Sequence, residues 1–248
     1  MSFRRHLHGL EFCYRTLVER FAFRPENVQV LSYDGSLRAF GDLETESNQP
    51  WPGDNTAFRM AVTAEGSGEA LRQALARVAA KLAPDDVLFI HTSGHGGHRG
   101  TASGPDLITF PHCQRMKRAE FCAEIAALPP HRSLVVLMSQ CYSGGFNQAI
   151  LDASPAESTV VITASAETRP SFMSFEDRNW DSFQRNYVAA LAGRDVDGSS
   201  IVATRRESGA SPVTFRDAFE YALSCPNRNP YDSPQLAASP NSAADRAL

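Results

Sequence analysis

Three short, unbroken apolar segments constrain this chain most: Val87 to Thr92, Ser133 to Ser139 and Thr159 to Thr163. Each runs directly into a loop rich in glycine, serine, histidine or cysteine. Segments so short and so continuously apolar read as strands covered on both faces. Helical stripes separate them. Leu71, Leu75, Val78 and Leu82 follow Ser67 as N-cap and precede Pro84; Phe121, Ile125 and Leu128 precede Pro129-Pro130. Strands alternating with helices build an α/β fold, a three-layer α/β/α sandwich around a mostly parallel central sheet. In such folds the chemistry lies at the C-terminal ends of the strands.

The rest of the chain fits around this frame. Leu10, Tyr14, Leu17, Val18 and Phe21 predict a helix over 7–23, and residues 28–33 predict a strand. Residues 35–66, with Pro50, Pro52 and several glycines, show no sustained period and read as a long loop. Further helices are expected over 181–192 and over 214–224, the latter capped by Thr214 and Asp217. One domain over 1–225 is expected, followed by an extended Pro/Ser-rich tail over 226–248.

Composition narrows the functional classes. A formal charge of −4 and a pI near 6.0 argue against a strongly basic face, and so against nucleic acid or an anionic membrane as the first expected partner. No apolar run approaches the ~20 residues of a membrane span, and no apolar signal core follows the basic N-terminus. The five cysteines are irregularly spaced without a CxxC pair, which argues against a disulfide framework or structural zinc and fits a reducing cytoplasm.

Two strand ends carry the chemistry. His95 lies between Gly94 and Gly96-Gly97 just past one strand; Cys141, followed by Ser143-Gly144-Gly145, lies just past the next. Neighbouring parallel strands bring such ends within side-chain reach. A thiol needs a base to become a nucleophile near neutral pH, and histidine suits that task and the later protonation of a leaving amine. The glycines allow sharp turns and free backbone amides, so Gly96 N–H and Cys141 N–H are candidate oxyanion-hole donors. A rival reading takes His91, His95 and His98 as ligands of a metal-dependent hydrolase, although Gly94, Gly96 and Gly97 oppose the helix that HxxxHxxH spacing requires. A second rival is a binding or scaffold module without catalysis. Arg205-Arg206 reads as a charged loop or a self-processing site, and Asp85-Asp86 as a solvated turn.

SGHGG after one strand and QCYSGG after the next resemble the catalytic histidine and cysteine blocks of caspase-like cysteine peptidases, most of all the legumain (asparaginyl endopeptidase) family. Arg5-His6, the stretch Pro25–Asp34, Thr163–Glu167 and the helix from Asp181 are similar to that family's segments, so the likeness spans roughly residues 3–195. The resemblance implies a caspase/hemoglobinase-like fold and a cysteine endopeptidase with Cys141 as nucleophile and His95 as acid/base. A thioester acyl-enzyme would form, and cleavage would follow Asn or Asp. It implies Arg5 and Ser165 as substrate-binding residues. It implies no metal or organic cofactor and a peptide or protein substrate, and it leaves room for an activating or regulatory protein partner. Two departures stand out. Phe3 occupies the place of an Asn that orients the family's histidine. The family's first strand, inside its sheet, precedes the Arg-His pair, whereas this sequence begins beside that pair; a sheet without it is expected to expose unpaired backbone and apolar surface.

Overall fold

The computed structural model describes residues 4–38, 50–98, 104–109, 114–176, 178–201 and 212–248. Phe3, His112, Cys113 and the Arg205-Arg206 pair lie outside them. The strands are β1 (Val30–Leu31), β2 (Val62–Ala64), β3 (Val87–Thr92), β4 (His95–His98), β5 (Pro105–Thr109), β6 (Gln114–Lys117), β7 (Ser133–Met138), β8 (Ser158–Thr163) and β9 (Gln235–Ser239). The α-helices are α1 (Arg4–Arg15), α2 (Gly68–Ala79), α3 (Arg118–Ala126), α4 (Asn147–Ala153), α5 (Ser182–Ala192) and α6 (Phe215–Ser224).

The main sheet has the order β3-β7-β8-β9, parallel except for β9, which runs antiparallel to β8. β7 occupies its middle, and Leu134 to Met138 are wholly buried. Alternate residues feed opposite faces, as a pleated strand requires. Val135 and Leu137 pack with α1, α5 and α6 through Phe12, Phe183, Tyr187 and Phe215. Leu134, Val136 and Met138 pack with α2, α3 and α4 through Leu75, Phe121, Ile125 and Ile150. Helices thus cover both faces, as the sequence pattern required.

Local signals set several boundaries. The Ser67 hydroxyl accepts from Ala70 N–H and opens α2; Thr214 and Asp217 cap each other's amides at the start of α6. The helix expected over 7–23 is α1 continued by a π-helical turn over Thr16–Arg20. The long loop is more ordered than its sequence suggests. Glu11, fully buried, accepts from Arg15 Nε (2.5 Å) and from the N–H groups of Arg59 (2.8 Å) and Met60 (3.0 Å). Arg15 in turn holds Asp54 and lies over the buried Trp51 ring. Residues 62–64 then pair with β1.

The expected C-terminal tail is corrected by the structure. β9 completes the sheet, Ala243 and Ala244 are buried, and Asn229 and Asp232 are buried against residues 172–182. Pro and Ser content hid a strand that needs few large side chains, because β8 supplies the apolar surface.

β1 and β2 form a separate parallel pair and do not join β3. A cavity of about 810 Å3 lies between the two sheets, lined by Val30 and Leu31 on one side and Val87 to His91 on the other. Leu10, Leu17, Leu71 and Leu75 are among its other walls. Among the described residues, β3 is laddered on one side only, by β7.

Candidate active site

β3 and β7 pair in register from Val87–Ser133 to Thr92–Met138, so they end level with each other. Past β3, Gly94 takes φ +151, a conformation that favours glycine, and turns the chain into β4. His95 is therefore the first residue of a three-stranded antiparallel sheet, β4-β5-β6, rather than part of an irregular loop. Past β7, Tyr142 adopts a left-handed conformation (φ +62), after which Ser143–Phe146 form a 3-10 turn leading into α4. Such a backbone costs a non-glycine residue roughly 1–2 kcal/mol, and it presents Cys141 at the apex of the turn.

The two ends meet. A Cβ placed on Gly96 would stand 2.0 Å from the carbonyl oxygen of Cys141 and 3.2 Å from its nitrogen. The residue after His95 therefore lies flat against the backbone of Cys141. His98 and Tyr142 flank this contact with ring centroids 5.5 Å apart. Arg118 braces it from the side: Nη1 donates to the Gly145 carbonyl (2.9 Å) and pairs with Glu167 (3.6 Å).

Cys141 Sγ sits beside Ser171, whose N–H points at the sulfur from 3.3 Å and whose hydroxyl lies at 3.7 Å; the thiol reaches the Ser171 carbonyl at 3.6 Å. Tyr142 N–H donates to the Arg169 carbonyl (2.9 Å), so residues 169–171 hold the cysteine turn.

On the histidine side, Asp181 gathers the charged groups. Its Oδ1 accepts from Arg5 Nε at 2.9 Å; its Oδ2 accepts from His6 Nδ1 at 3.0 Å and from Ser93 Oγ at 3.3 Å. The His6 ring meets His95 edge-on, centroids 5.8 Å apart. Burial first, then the charge interactions of His6, the N-terminal ammonium and Arg5, push the His95 imidazole down to about 4, with Asp181 pulling the other way. Burial alone would raise Asp181, but His6 and Arg5 hold its carboxyl below the usual carboxylate range.

The sequence-selected residues thus divide. His95, Gly96 and Cys141 come together, and Arg5 stands at their edge through Asp181. Ser165 is corrected. It is fully buried, donates to the Gln140 carbonyl (3.3 Å) and exchanges hydrogen bonds with Ser143, so its side chain braces the cysteine turn from beneath instead of facing a groove. The metal-ligand reading is not matched either. His91 is on β3 with Nδ1 against the Leu137 carbonyl (3.1 Å), His98 is on β4 beside Tyr142, and no helix carries the trio. Among the described residues, no group of three or more His, Cys, Asp or Glu side chains is arranged to hold a metal ion. Asp181 and Ser171 escaped the sequence reading. Asp181 looks like an ordinary N-cap of α5, yet its side chain makes no cap bond.

The fold has a solved counterpart in protein GSU0716 from Geobacter sulfurreducens, with TM-score 0.50 and 13% identity over 72% of this chain and 77% of that one. Two curated relatives come from Arabidopsis thaliana. Metacaspase-4 is 28% identical over 53% of this chain, and metacaspase-7 is 24% identical over 77%. The aligned parts make up 27% and 42% of those proteins, so the chain matches well under half the length of either. With a strand-end histidine against a strand-end cysteine, and a family model that matches residues 2–200, the chain belongs to the Peptidase C13 family.

Proposed function

We propose that the protein is a cysteine endopeptidase in which His95 and Cys141 form the catalytic dyad. The seating of Gly96 on the Cys141 backbone carries this reading, because it sets the imidazole-bearing and thiol-bearing turns edge to edge. His95 enters the reaction as the neutral imidazole, since burial and nearby positive charge disfavour the imidazolium. His95 takes the thiol proton as Cys141 Sγ attacks the peptide carbonyl carbon. Gly96 and Cys141 amides receive the oxyanion. The tetrahedral adduct collapses to a thioester as His95 passes its proton to the leaving amine, and water then releases the acyl half.

For the residue on the acyl side we propose Asn above Asp, a legumain-like preference. Arg5 would offer a donor and Asp181 an acceptor, which together suit the two ends of a carboxamide. Asp181 also balances the Arg5 charge, so an ionised carboxylate gains less there than it would from an unbalanced guanidinium. The substrate is an extended peptide, and the chemistry draws only on the chain's own groups and water. Among the described residues no helix is long and apolar enough to cross a membrane, and the thiols of Cys13, Cys122, Cys141 and Cys225 are unbridged. Both features support a cytoplasmic setting.

The test is a peptide panel with Asn, Asp, Arg or Ala at the acyl position, run on wild type and Cys141→Ala. Expected are cleavage after Asn, loss of at least about 1,000-fold in the variant, and inactivation by iodoacetamide but not by a chelator. Equal activity in the two proteins, or loss to the chelator alone, ends the dyad assignment.

A further inference from the structure

We propose that His6, anchored by Asp181, is a positioning residue for His95, fixing the orientation of the ring that accepts the thiol proton. The inference rests on the dyad reading and adds a component to it.

The geometry is specific. His6 is 3% exposed and lies on α1, far from β4 in sequence. Its ring stands at 77° to that of His95, a T-shaped contact at 5.8 Å, so it forms one wall of the space that the His95 ring occupies. His6 is itself immobilised, with Nδ1 3.0 Å from both Asp181 Oδ2 and Ser93 Oγ. Because an ionised carboxylate only accepts, the bond to Asp181 fixes a proton on Nδ1.

The groups whose charge acts on His95 differ by element: His6 and Arg5 from α1 and the N-terminal ammonium oppose its protonation, and Asp181, at the start of α5, favours it. Asp181 is bound on one oxygen by Arg5 and on the other by His6, so its charge is largely answered before it reaches His95.

The experiment is a proton NMR titration of the His95 Cε1–H in the full chain carrying Cys141→Ala, which removes coupling to the thiol. In that protein the His95 midpoint is expected well below 6.5. Adding His6→Gln, or His6→Phe to keep the ring, is expected to raise it by about one pH unit or more. In the catalytically intact chain the same changes should lower kcat with little change in KM. A His95 midpoint near 6.5 before any change at position 6, or one that stays fixed in folded His6→Gln and His6→Phe proteins, overturns the proposal. The first measurement needs no substitution at His6, so misfolding of those variants does not leave the question open. Absence of peptide cleavage by the wild type would sink the peptidase reading alone, because the titration is read without turnover.

Discussion

Gly96 has room for a hydrogen and nothing larger. A methyl group there would have to displace the Cys141 carbonyl, which is backbone and cannot swing aside. Gly96→Ala is expected to destabilise the fold by about 1–3 kcal/mol, as overpacking does, and to abolish cleavage; denaturant unfolding and a peptide assay measure the two effects. His95 makes a second residue-scale prediction. With its imidazole depressed to about 4, the base remains available well into the acid range. Activity should therefore lose little to His95 protonation between pH 7 and 5, as a kcat/KM profile would show. Ser165→Ala should act through the cysteine turn, lowering kcat by loss of the Gln140 and Ser143 bonds while KM for the Asn peptide stays close to wild type.

At the scale of elements, β7 carries the greatest burden, since its side chains are buried on both faces. Leu137→Ala should cost about 2–5 kcal/mol in denaturant unfolding. Such elements were also the most legible in the sequence, because burial on both faces leaves an apolar run that little else produces. The proposed pair, His95 and Cys141, was legible for a related reason: strand ends are marked by the runs before them. β9 was not legible. Gln235–Ser239 holds mostly small residues and lies along β8, which contributes most of the apolar mass. β4 to β6 were hidden by glycine, proline and charge, which signal loops locally but here serve close approach: Gly97 leaves space for Arg115, which pairs with the buried Asp106 at 2.9 Å. Asp181 was missed because an acidic residue before a helix has an ordinary explanation, and only the partners Arg5 and His6, some 175 residues away, show that it serves another purpose.

Across the whole molecule, pH links the site to stability. Burial depresses His91, as it does His95, to about 4 from an ordinary 6.5. The unfolded chain binds those two protons more readily, so stability conferred by the neutral rings is present above 6.5 and lost as pH falls toward 4. Asp232 acts oppositely: burial raises its carboxyl to about 7, and its contribution fades as pH rises through that value. Two groups against one leave a net fall in melting temperature on acidification from 6.5 to 4, which calorimetry at a series of pH values would record. Asp232→Asn should steepen the fall. The cavity beside β3 bears on how the site fails under heat. Among the described residues β7, which leads into Cys141, is laddered on both sides, whereas β3, which leads into the turn before His95, is laddered by β7 alone, so partial opening begins with β3. The general base would come adrift while the nucleophile still stood in an intact ladder. Thermal inactivation should then precede global melting by several degrees, and a thiol-directed label should go on reaching Cys141 in molecules that no longer turn over.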